Sequence, residues 1–317
     1  MKLNKKMTRR DFIKFCLWAL ALLPISGSIP KPTLAKPQMF NGRVKQWAKG
    51  DYDLVIAKGE DPYIMTVKAV ESMGGMGRFV KKNSVVVIKP NIGWDRTPEQ
   101  AGNTNPKVVE ALVELSFKAG AKRVNVFDSP CNDPRRCYAN SGIESAARAK
   151  GANVYFAEDW NVIEARFDYE SPMEGWPILK DAIGCDTFIN VPILKHHGLT
   201  GLTLSMKNLM GVCTGNRGLI HQNIGRKLVD LTDFIKPDLT IIDAYRVLVR
   251  NGPTGGNLRD VEAMKTLIVA TDPTLADAYA CKLVDVDPMS IPNIRSAVER
   301  NFGNHNIDNA NSLNVMV

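Results

Sequence analysis

Two kinds of apolar pattern alternate along the chain from about residue 51 to residue 300. Short continuous apolar runs rich in β-branched residues predict strands that are covered on both faces. Apolar residues that recur every three or four positions predict helices with one buried side. The predicted strands are Leu54–Ala57, Ser84–Ile88, Val124–Phe127, Val154–Phe156, Thr187–Val191, Leu239–Ile242 and Thr266–Ala270. The predicted helices are Tyr63–Met73, a helix that begins at Asn103-Thr104-Asn105-Pro106 and ends at Gly120, Ser141–Ala149, Leu202–Met210, Ile224–Phe234 and Leu275–Val284.

The regular alternation of strands and helices predicts an α/β fold, a layered, mostly parallel β-sheet with helices on both faces. Neither an internal repeat nor a domain boundary is visible in residues 51–300, which are expected to form a single domain. Residues 36–50 contain Lys, Pro and Gln and are expected to be a linker. Residues 301–317 are rich in Asn and are expected to form a frayed tail.

Residues 1–35 contain the parts of an export signal in the order that such a signal requires. A basic start precedes an apolar stretch, Phe15–Ile25, that is shorter than the roughly 20 residues needed to span a bilayer. Thr33-Leu34-Ala35 then offers the small residues that favour cleavage after Ala35. We therefore expect residues 1–35 to be a signal peptide outside the folded domain, with an uncleaved anchor as the alternative.

The segment Thr8-Arg9-Arg10-Asp11-Phe12-Ile13-Lys14 resembles a twin-arginine signal. A hydroxyl residue, the arginine pair, one spacer, Phe, an aliphatic residue and Lys follow each other as in such signals. The resemblance implies that the twin-arginine export machinery carries the chain, already folded, to the periplasm or the exterior. The membrane is then met only during export, and a cofactor inserted before export becomes more plausible. The alternative is an ordinary secretory signal that happens to hold two arginines.

Composition places the mature chain among ordinary globular proteins. Of the 317 residues, 44% are apolar and 23% are charged, which excludes a disordered chain, a collagen-like repeat and a polytopic membrane protein. Seven of the 41 basic residues and one of the 33 acidic residues lie in residues 1–35. The remainder therefore carries 34 basic and 32 acidic residues, and so small a charge gives no footprint for nucleic acid.

Five of the six cysteines follow the predicted signal. Cys131 and Cys137 are the one close pair, and the sequence leaves open whether they form a disulfide in an oxidising compartment. The chain contains no Cys-x-x-Cys, so an iron–sulfur cluster held by this chain alone is not expected.

Polar residues follow four of the predicted strands, and the carboxyl ends of parallel strands are where α/β sheets bind ligands. Each residue also has a purely structural interpretation, such as a turn, a helix cap or a solvated loop. If the strands are parallel, the groups converge on one edge of the sheet and form a shared pocket. The groups are Lys89 and Asn91, then Asp128, then Lys195, His196 and His197, and finally Asp243.

Three further features add to this set. Lys207-Asn208 lie off the apolar side of their predicted helix, and His221 follows a Gly-rich stretch. The loop Gly252–Gly256 offers backbone amides that could hold an anion. Neither a P-loop nor a dinucleotide-binding fingerprint is present.

The chemistry of these side chains suggests a role for each. Ammonium groups suit carboxylate or phosphate, and imidazole with carboxylate suits proton transfer or a divalent metal. The catalytic candidates are Lys195, His196, His221 and Lys207. The candidates for binding a substrate or anion are Lys89, Asn91, Asn208, Gly252 and Gly255. The candidate metal ligands are Asp128, His196, His221 and Asp243.

These motifs, in their order, resemble the family called domain of unknown function 362 over about residues 51–300. The resemblance is carried by Lys89-Pro90-Asn91, Thr104-Asn105-Pro106, Asp128-Ser129, Lys195-His196, Lys207-Asn208 with Gly211, His221, Asp243 with Gly252-Pro253, and Asp272 to Asp277. Members of the family often carry twin-arginine signals, and others are fused to ferredoxin-like modules. This chain lacks the cluster-binding cysteines of those modules. The resemblance therefore implies no particular reaction. It leaves room for an iron–sulfur cluster only on a separate redox partner protein.

Two functions remain open at this point. The first is an exported metal- or cofactor-dependent enzyme that acts on a small anionic substrate, with the cofactor itself unknown. The alternative is a non-enzymatic periplasmic protein that binds a cofactor or serves electron transfer with an iron–sulfur partner.

Asp272 and Asp277 are interpreted as acids at the start of their own helix, favoured by the helix dipole.

Overall fold

The computed structural model describes residues 39–45, 50–157 and 161–317, so the predicted signal lies outside the described residues. The strands are β1 Met39–Phe40, β2 Leu54–Lys58, β3 Val85–Pro90, β4 Arg123–Val126, β5 Asn153–Val154, β6 Val162–Ala165, β7 Pro177–Leu179, β8 Thr187–Val191, β9 Ile193–His197, β10 Gly201–Thr203, β11 Leu239–Leu248, β12 Val261–Ala270 and β13 Ser312–Met316. The α-helices are α1 Pro62–Ser72, α2 Pro106–Lys118, α3 Pro134–Asn140, α4 Ile143–Ala149, α5 Lys180–Gly184, α6 Ser205–Asn208, α7 Ile224–Ile235, α8 Pro273–Leu283 and α9 Pro292–Glu299.

The main sheet runs in the order β13-β2-β12-β11-β8-β3-β4-β5, and β9 pairs with both β11 and β10. Strands β11, β8, β3, β4 and β5 are parallel neighbours, and β13 is parallel to β2. Strand β12 is antiparallel to both of its neighbours, and β10 is antiparallel to β9. The predicted α/β fold with a mostly parallel sheet is therefore confirmed. A separate three-stranded sheet contains β1, β6 and β7.

Helices cover both faces of this sheet, as strand β3 shows. Val86 and Ile88 pack into one apolar cluster with Leu112 of α2, whereas Val87 packs into another with Leu228 of α7. All these side chains are fully buried. Burial on both faces explains why β3 is a continuous apolar run rather than an alternating one.

Helix starts follow the predicted capping chemistry. The Asn105 side chain accepts a hydrogen bond from the amide of Lys107 at 3.0 Å, and Pro106 occupies the first position of α2. A side-chain oxygen here satisfies one of the amides that a helix leaves unpaired at its start. The predicted start of this helix is thus confirmed: α2 begins at Pro106, directly after its cap Asn105.

Several segments differ from the sequence-based prediction. The predicted helix 202–210 is instead strand β10 followed by the short helix α6 and a 3₁₀ turn at Leu209–Val212. The Asn-rich end supplies β13, an edge strand beside β2, rather than only a frayed tail. In the predicted linker, β1 pairs with β6, and the buried Arg43 forms an ion pair with Asp238 at 2.7 Å. None of the helices in the described residues is long and apolar enough to cross a membrane.

Candidate functional site

A cavity of about 670 Å³ lies beside the ends of β3 and β4. This volume is within the usual range for a small-molecule site. Its wall is built by β3, the segment after β4, β9, α6, the 3₁₀ segment Arg217–His221 and the loop after β11. The lining residues that carry chemistry are Lys89, Asn91, Asp128, Cys131, Lys195, His197, Lys207, Asn208, Arg217 and His221.

A buried ion pair forms the floor of the cavity. Lys89 Nζ lies 2.8 Å from Asp128 Oδ1, and both side chains are at most 3% exposed. Asp128 also accepts hydrogen bonds from the backbone amides of Ile92, at 2.6 Å, and Ser129, at 2.8 Å. Burial lowers the pKa of Lys89, and the neighbouring Asp128 opposes that shift. The two strand ends thus meet as the sequence predicts, and the carboxylate is held by two fixed amides.

Asn208 of α6 joins this pair to a second lysine. Its Oδ1 accepts hydrogen bonds from Lys89 Nζ and from Asn91 Nδ2, both at 3.0 Å. Asn91 Oδ1 in turn accepts one from Lys195 Nζ at 3.1 Å, and Lys195 Nζ also donates to the Gly102 carbonyl at 2.6 Å. The side-chain oxygens of Asn208 and Asn91 both accept hydrogen bonds in this series, so the orientations of the two amide groups are fixed.

Charge in the cavity is strongly unbalanced. Among the described lining residues, the cationic side chains are Lys89, Lys195, Lys207 and Arg217, and Asp128 alone carries a carboxylate. Burial and the nearby Lys207 together lower the pKa of Lys195 to about 7. Burial likewise lowers the pKa of Lys207 to about 8, with Arg217 adding to the shift. The surroundings of the cavity therefore disfavour its own positive charges, and a bound anion would favour them.

Lys207 owes its position to a distant acid. Helix α6 is only four residues long, and its first amides need acceptors. Asp277 of α8 supplies them, accepting from the amide of Ser205 at 2.7 Å and from that of Met206 at 3.3 Å. Burial raises the pKa of Asp277 to about 7 against these hydrogen bonds. Asp277 thus caps a helix other than its own, which corrects its interpretation as an acid at the start of α8, where Asp272 is the cap.

Two histidines stack at the cavity wall. The ring centroids of His197 and His221 lie 5.9 Å apart with planes 24° from parallel. Burial lowers the pKa of His197 to about 3 and also lowers that of His221, and Lys207 contributes to both shifts. Both imidazoles are therefore neutral near pH 7.

Hydrogen bonds assign opposite tautomers to this pair. His197 Nδ1 accepts from the amide of Leu199 at 3.2 Å, so its hydrogen lies on Nε2. His221 Nδ1 lies 3.2 Å from the Gly218 carbonyl, which can only accept, so its hydrogen lies on Nδ1. His197 thus offers a donor at Nε2, whereas His221 offers a lone pair there.

Some predicted site residues do not reach the cavity. His196 lines a separate cavity of about 430 Å³, and its Nδ1 accepts from the Gly252 amide at 3.1 Å. Asp243 is buried within β11 and accepts from the amides of Asn105, at 2.7 Å, and Tyr245, at 2.9 Å. Gly252 lines the cavity, but Gly255 does not.

The predicted metal ligands are not assembled. Within residues 39–45, 50–157 and 161–317, no group of three His, Cys, Asp or Glu side chains is placed to hold a metal ion. Asp128 and His221 line the cavity, whereas His196 and Asp243 lie outside it. The expectation that a divalent metal or other cofactor is bound stays a prediction.

Other lining residues carry little signal in the sequence. Arg217 sits in a Gly-rich segment and is held by the Pro130 carbonyl, to which it donates at 3.0 Å. Cys131 is an exposed free thiol at the cavity, and Cys137 is a buried free thiol, so the two are not bonded to each other here. His197 is adjacent to His196 on β9, and the register of this strand places His197 at the cavity and His196 at the separate one.

Comparison with known proteins gives a family and a more distant likeness. The family model described as Domain of unknown function (DUF362) matches residues 86–282. A thylakoid-associated protein of Synechocystis sp. is 31% identical over an alignment of 244 residues, and the match covers 73% of this chain and 72% of that protein. The lactate racemase apoprotein from Thermoanaerobacterium thermosaccharolyticum is 12% identical with a TM-score of 0.45, and the match covers 72% of this chain and 56% of that one. The family match includes every residue described above as lining the cavity, and the chain belongs to the family Domain of unknown function (DUF362).

Proposed function

We propose that the cavity binds a small molecule carrying a carboxylate or phosphate group and that His197 and His221 transfer protons on it. The protein would then be an enzyme of acid–base chemistry acting on a small anion. One observation carries the proposal: three lysines and two imidazoles of opposite tautomer line a single cavity whose one described carboxylate, on Asp128, is already paired.

The electrostatics of the cavity support anion binding. An anion about 4 Å from one ammonium group gains on the order of 4 kcal/mol at an effective dielectric constant of about 20. The pKa values of Lys195 and Lys207 are both lowered, so a bound anion would also favour their charged forms. The guanidinium group of Arg217 lies at the same wall and adds to the attraction.

The histidine pair supports proton transfer. A neutral imidazole with a free Nε2 lone pair, on His221, is a base, and a neighbouring Nε2–H, on His197, is a hydrogen-bond donor toward developing negative charge. Positioned acid–base groups of this kind typically contribute about 10²–10⁴-fold in rate. Because burial keeps both rings uncharged near pH 7, neither needs to lose a proton before the substrate binds.

Binding of a fixed-charge anion should weaken as the pH rises. We expect the Kd for sulfate or acetate, measured by calorimetry, to increase by about tenfold to a hundredfold between about pH 6 and pH 9, because one or two bound ammonium groups lose their protons there. Both probes remain fully ionised over this range, so the change reports on the protein. The sign follows from the lowered lysine pKa values: the ammonium forms dominate below them.

A matched pair of variants tests the site itself. Lys207→Met removes one cavity ammonium and should weaken sulfate binding at least about tenfold near pH 7. Lys68→Met removes an exposed ammonium on α1, which pairs with Glu71, and should leave binding unchanged. Equal affinity in both variants, or affinity independent of pH, would rule out this cavity as the anion site. Binding without any proton transfer on bound ligands would favour the non-enzymatic alternative.

Export of the folded chain is a second part of the proposal, and it rests on the sequence of residues 1–35 alone. Replacing both Arg9 and Arg10 by Lys should retain the chain in the cytoplasm of a host with the twin-arginine route, since that pair is the informative element of the signal. Replacing Lys5 and Lys6 by Arg is the matched control and should leave export intact. Fractionation and immunoblotting measure the outcome, and normal export of the Arg9→Lys, Arg10→Lys chain would contradict the proposed route.

A further inference from the structure

The three cavity lysines differ in how their amines are engaged. Lys89 Nζ is paired with Asp128 at 2.8 Å, and Lys195 Nζ donates to the Gly102 carbonyl at 2.6 Å. Lys207 Nζ has one partner in the described part of the chain, the Met210 Sδ at 3.8 Å, which is a weak acceptor. The amines of Lys89 and Lys195 thus donate to oxygen atoms of the protein, whereas the amine of Lys207 is left to interact with a ligand.

We propose that the amine of Lys207 is a nucleophile that forms an imine with an aldehyde or ketone group of the bound anion. The substrate class is thereby narrowed to small oxo acids, molecules that carry both a carbonyl group and an anionic group. The inference rests on the proposed function, because the cationic wall must first hold the anionic group.

The surroundings of Lys207 suit this role. A nucleophilic amine has to be unprotonated, and a desolvated lysine beside other cations reaches that state near neutral pH. Burial and Arg217 lower the pKa of Lys207 to about 8, so near pH 7.5 its unprotonated fraction is roughly two hundredfold larger than that of an ordinary lysine. The Asp277 cap on α6 holds the helix that carries the amine, and the cavity has room for a ligand beyond it.

The step balances with the groups present. The nitrogen lone pair attacks the carbonyl carbon, a C–N bond forms as the C=O π bond opens, and one proton passes from nitrogen by way of His221 to the oxygen, which gives a neutral carbinolamine. The second nitrogen proton then passes to the hydroxyl oxygen, the C–O bond breaks, water leaves, and the C=N bond is complete. The His221 lone pair can accept the proton released by nitrogen, and the His197 Nε2–H can stabilise the developing charge on oxygen. No oxidant, reductant or metal is required.

Cys131 is the competing nucleophile at the same cavity. It is an exposed free thiol, and a thiol adds to a carbonyl group reversibly to give a thiohemiacetal. A thiohemiacetal has no C=N bond for cyanoborohydride to reduce, so reductive trapping distinguishes the two adducts. A Cys131→Ser chain should therefore trap as much ligand as the unsubstituted protein.

Trapping with pyruvate and sodium cyanoborohydride near pH 7.5 tests the inference on the folded protein. We expect a stable adduct on Lys207 whose mass gain equals one pyruvic acid less one oxygen atom, located by peptide mass spectrometry. Its yield should exceed that on the exposed Lys68 by more than about tenfold. Lys207→Arg keeps a cation at the cavity wall but has no amine that could form an imine, so it should lose the adduct.

The outcomes separate the two proposals. If pyruvate competes with sulfate for the cavity but traps no more on Lys207 than on Lys68, the imine is wrong and anion binding stands. If trapping in the Lys207→Arg chain equals that of the unsubstituted protein, another amine is responsible and the imine assignment is wrong. If neither sulfate nor pyruvate binds, the proposed function fails and the imine with it.

Discussion

An Asp128→Ala chain should lose about 3–5 kcal/mol of unfolding free energy, the usual cost of removing one partner from a buried ion pair. The remaining Lys89 ammonium would be 1% exposed with no charged partner among the described residues. The amides of Ile92 and Ser129 would also lose their acceptor, and each buried unpaired amide adds to the cost. Urea unfolding near pH 7 measures the effect.

Two comparison chains make this result specific to the pair. Asp308→Ala removes an exposed acid, 85% accessible and 3.9 Å from Lys282, and should change stability by less than about 0.5 kcal/mol. Adding Lys89→Met to Asp128→Ala removes the orphaned charge and should recover a large part of the loss. A loss below about 1 kcal/mol for Asp128→Ala would mean that Lys89 is not the buried cation the structure shows.

Strand positions were accessible from sequence where a local pattern determined them. The run at residues 84–88 is buried on both faces of the sheet. A strand in that position is apolar at successive residues, so the local sequence was enough to predict it. The helix at Pro106 is opened by its own Asn105, so cap and helix lie within three residues. The pairing of β13 with β2 joins residues more than 250 positions apart, which no local pattern indicates.

The candidate site was predictable only in part, for the same reason. Lys89 and Asp128 follow parallel neighbouring strands, so the rule on strand ends brings them together. Successive side chains of a strand point to opposite faces, and β9 contains both His196 and His197. Choosing between them requires the register of β9, which is set by β10 and β11 rather than by its own sequence.

Buried acids were the other source of error. Asp243 was expected at a strand end, but β11 continues to Leu248 and leaves it inside the sheet. Its partner Asn105 is 138 residues away, and the partner of Asp277, Ser205, is 72 residues away. The sequence placed Asp243 at a strand end and Asp277 at the start of its own helix, whereas the amides of Asn105 and Ser205 that these acids satisfy are brought near only by the tertiary fold.

A Gly211→Ala chain should be damaged at the same place as Asp128→Ala, although it removes no charge. The added Cβ would lie 1.7 Å from Asp128 Oδ1 and 2.6 Å from Lys89 Nζ, closer than side chains can approach. The carboxylate cannot move aside cheaply because the amides of Ile92 and Ser129 hold both of its oxygens. We therefore expect a loss of about 3–5 kcal/mol in urea unfolding, since relieving the clash separates the buried pair.

The same substitution should also weaken sulfate binding by more than about tenfold, because Lys89 and Asn208 share the floor that the displaced carboxylate would disturb. Gly184→Ala is the matched control: a Cβ there meets nothing within 4 Å, and α5 should gain a few tenths of a kcal/mol from the better helix former. Near-normal stability and sulfate affinity in the Gly211→Ala chain would show that the floor is not packed as described.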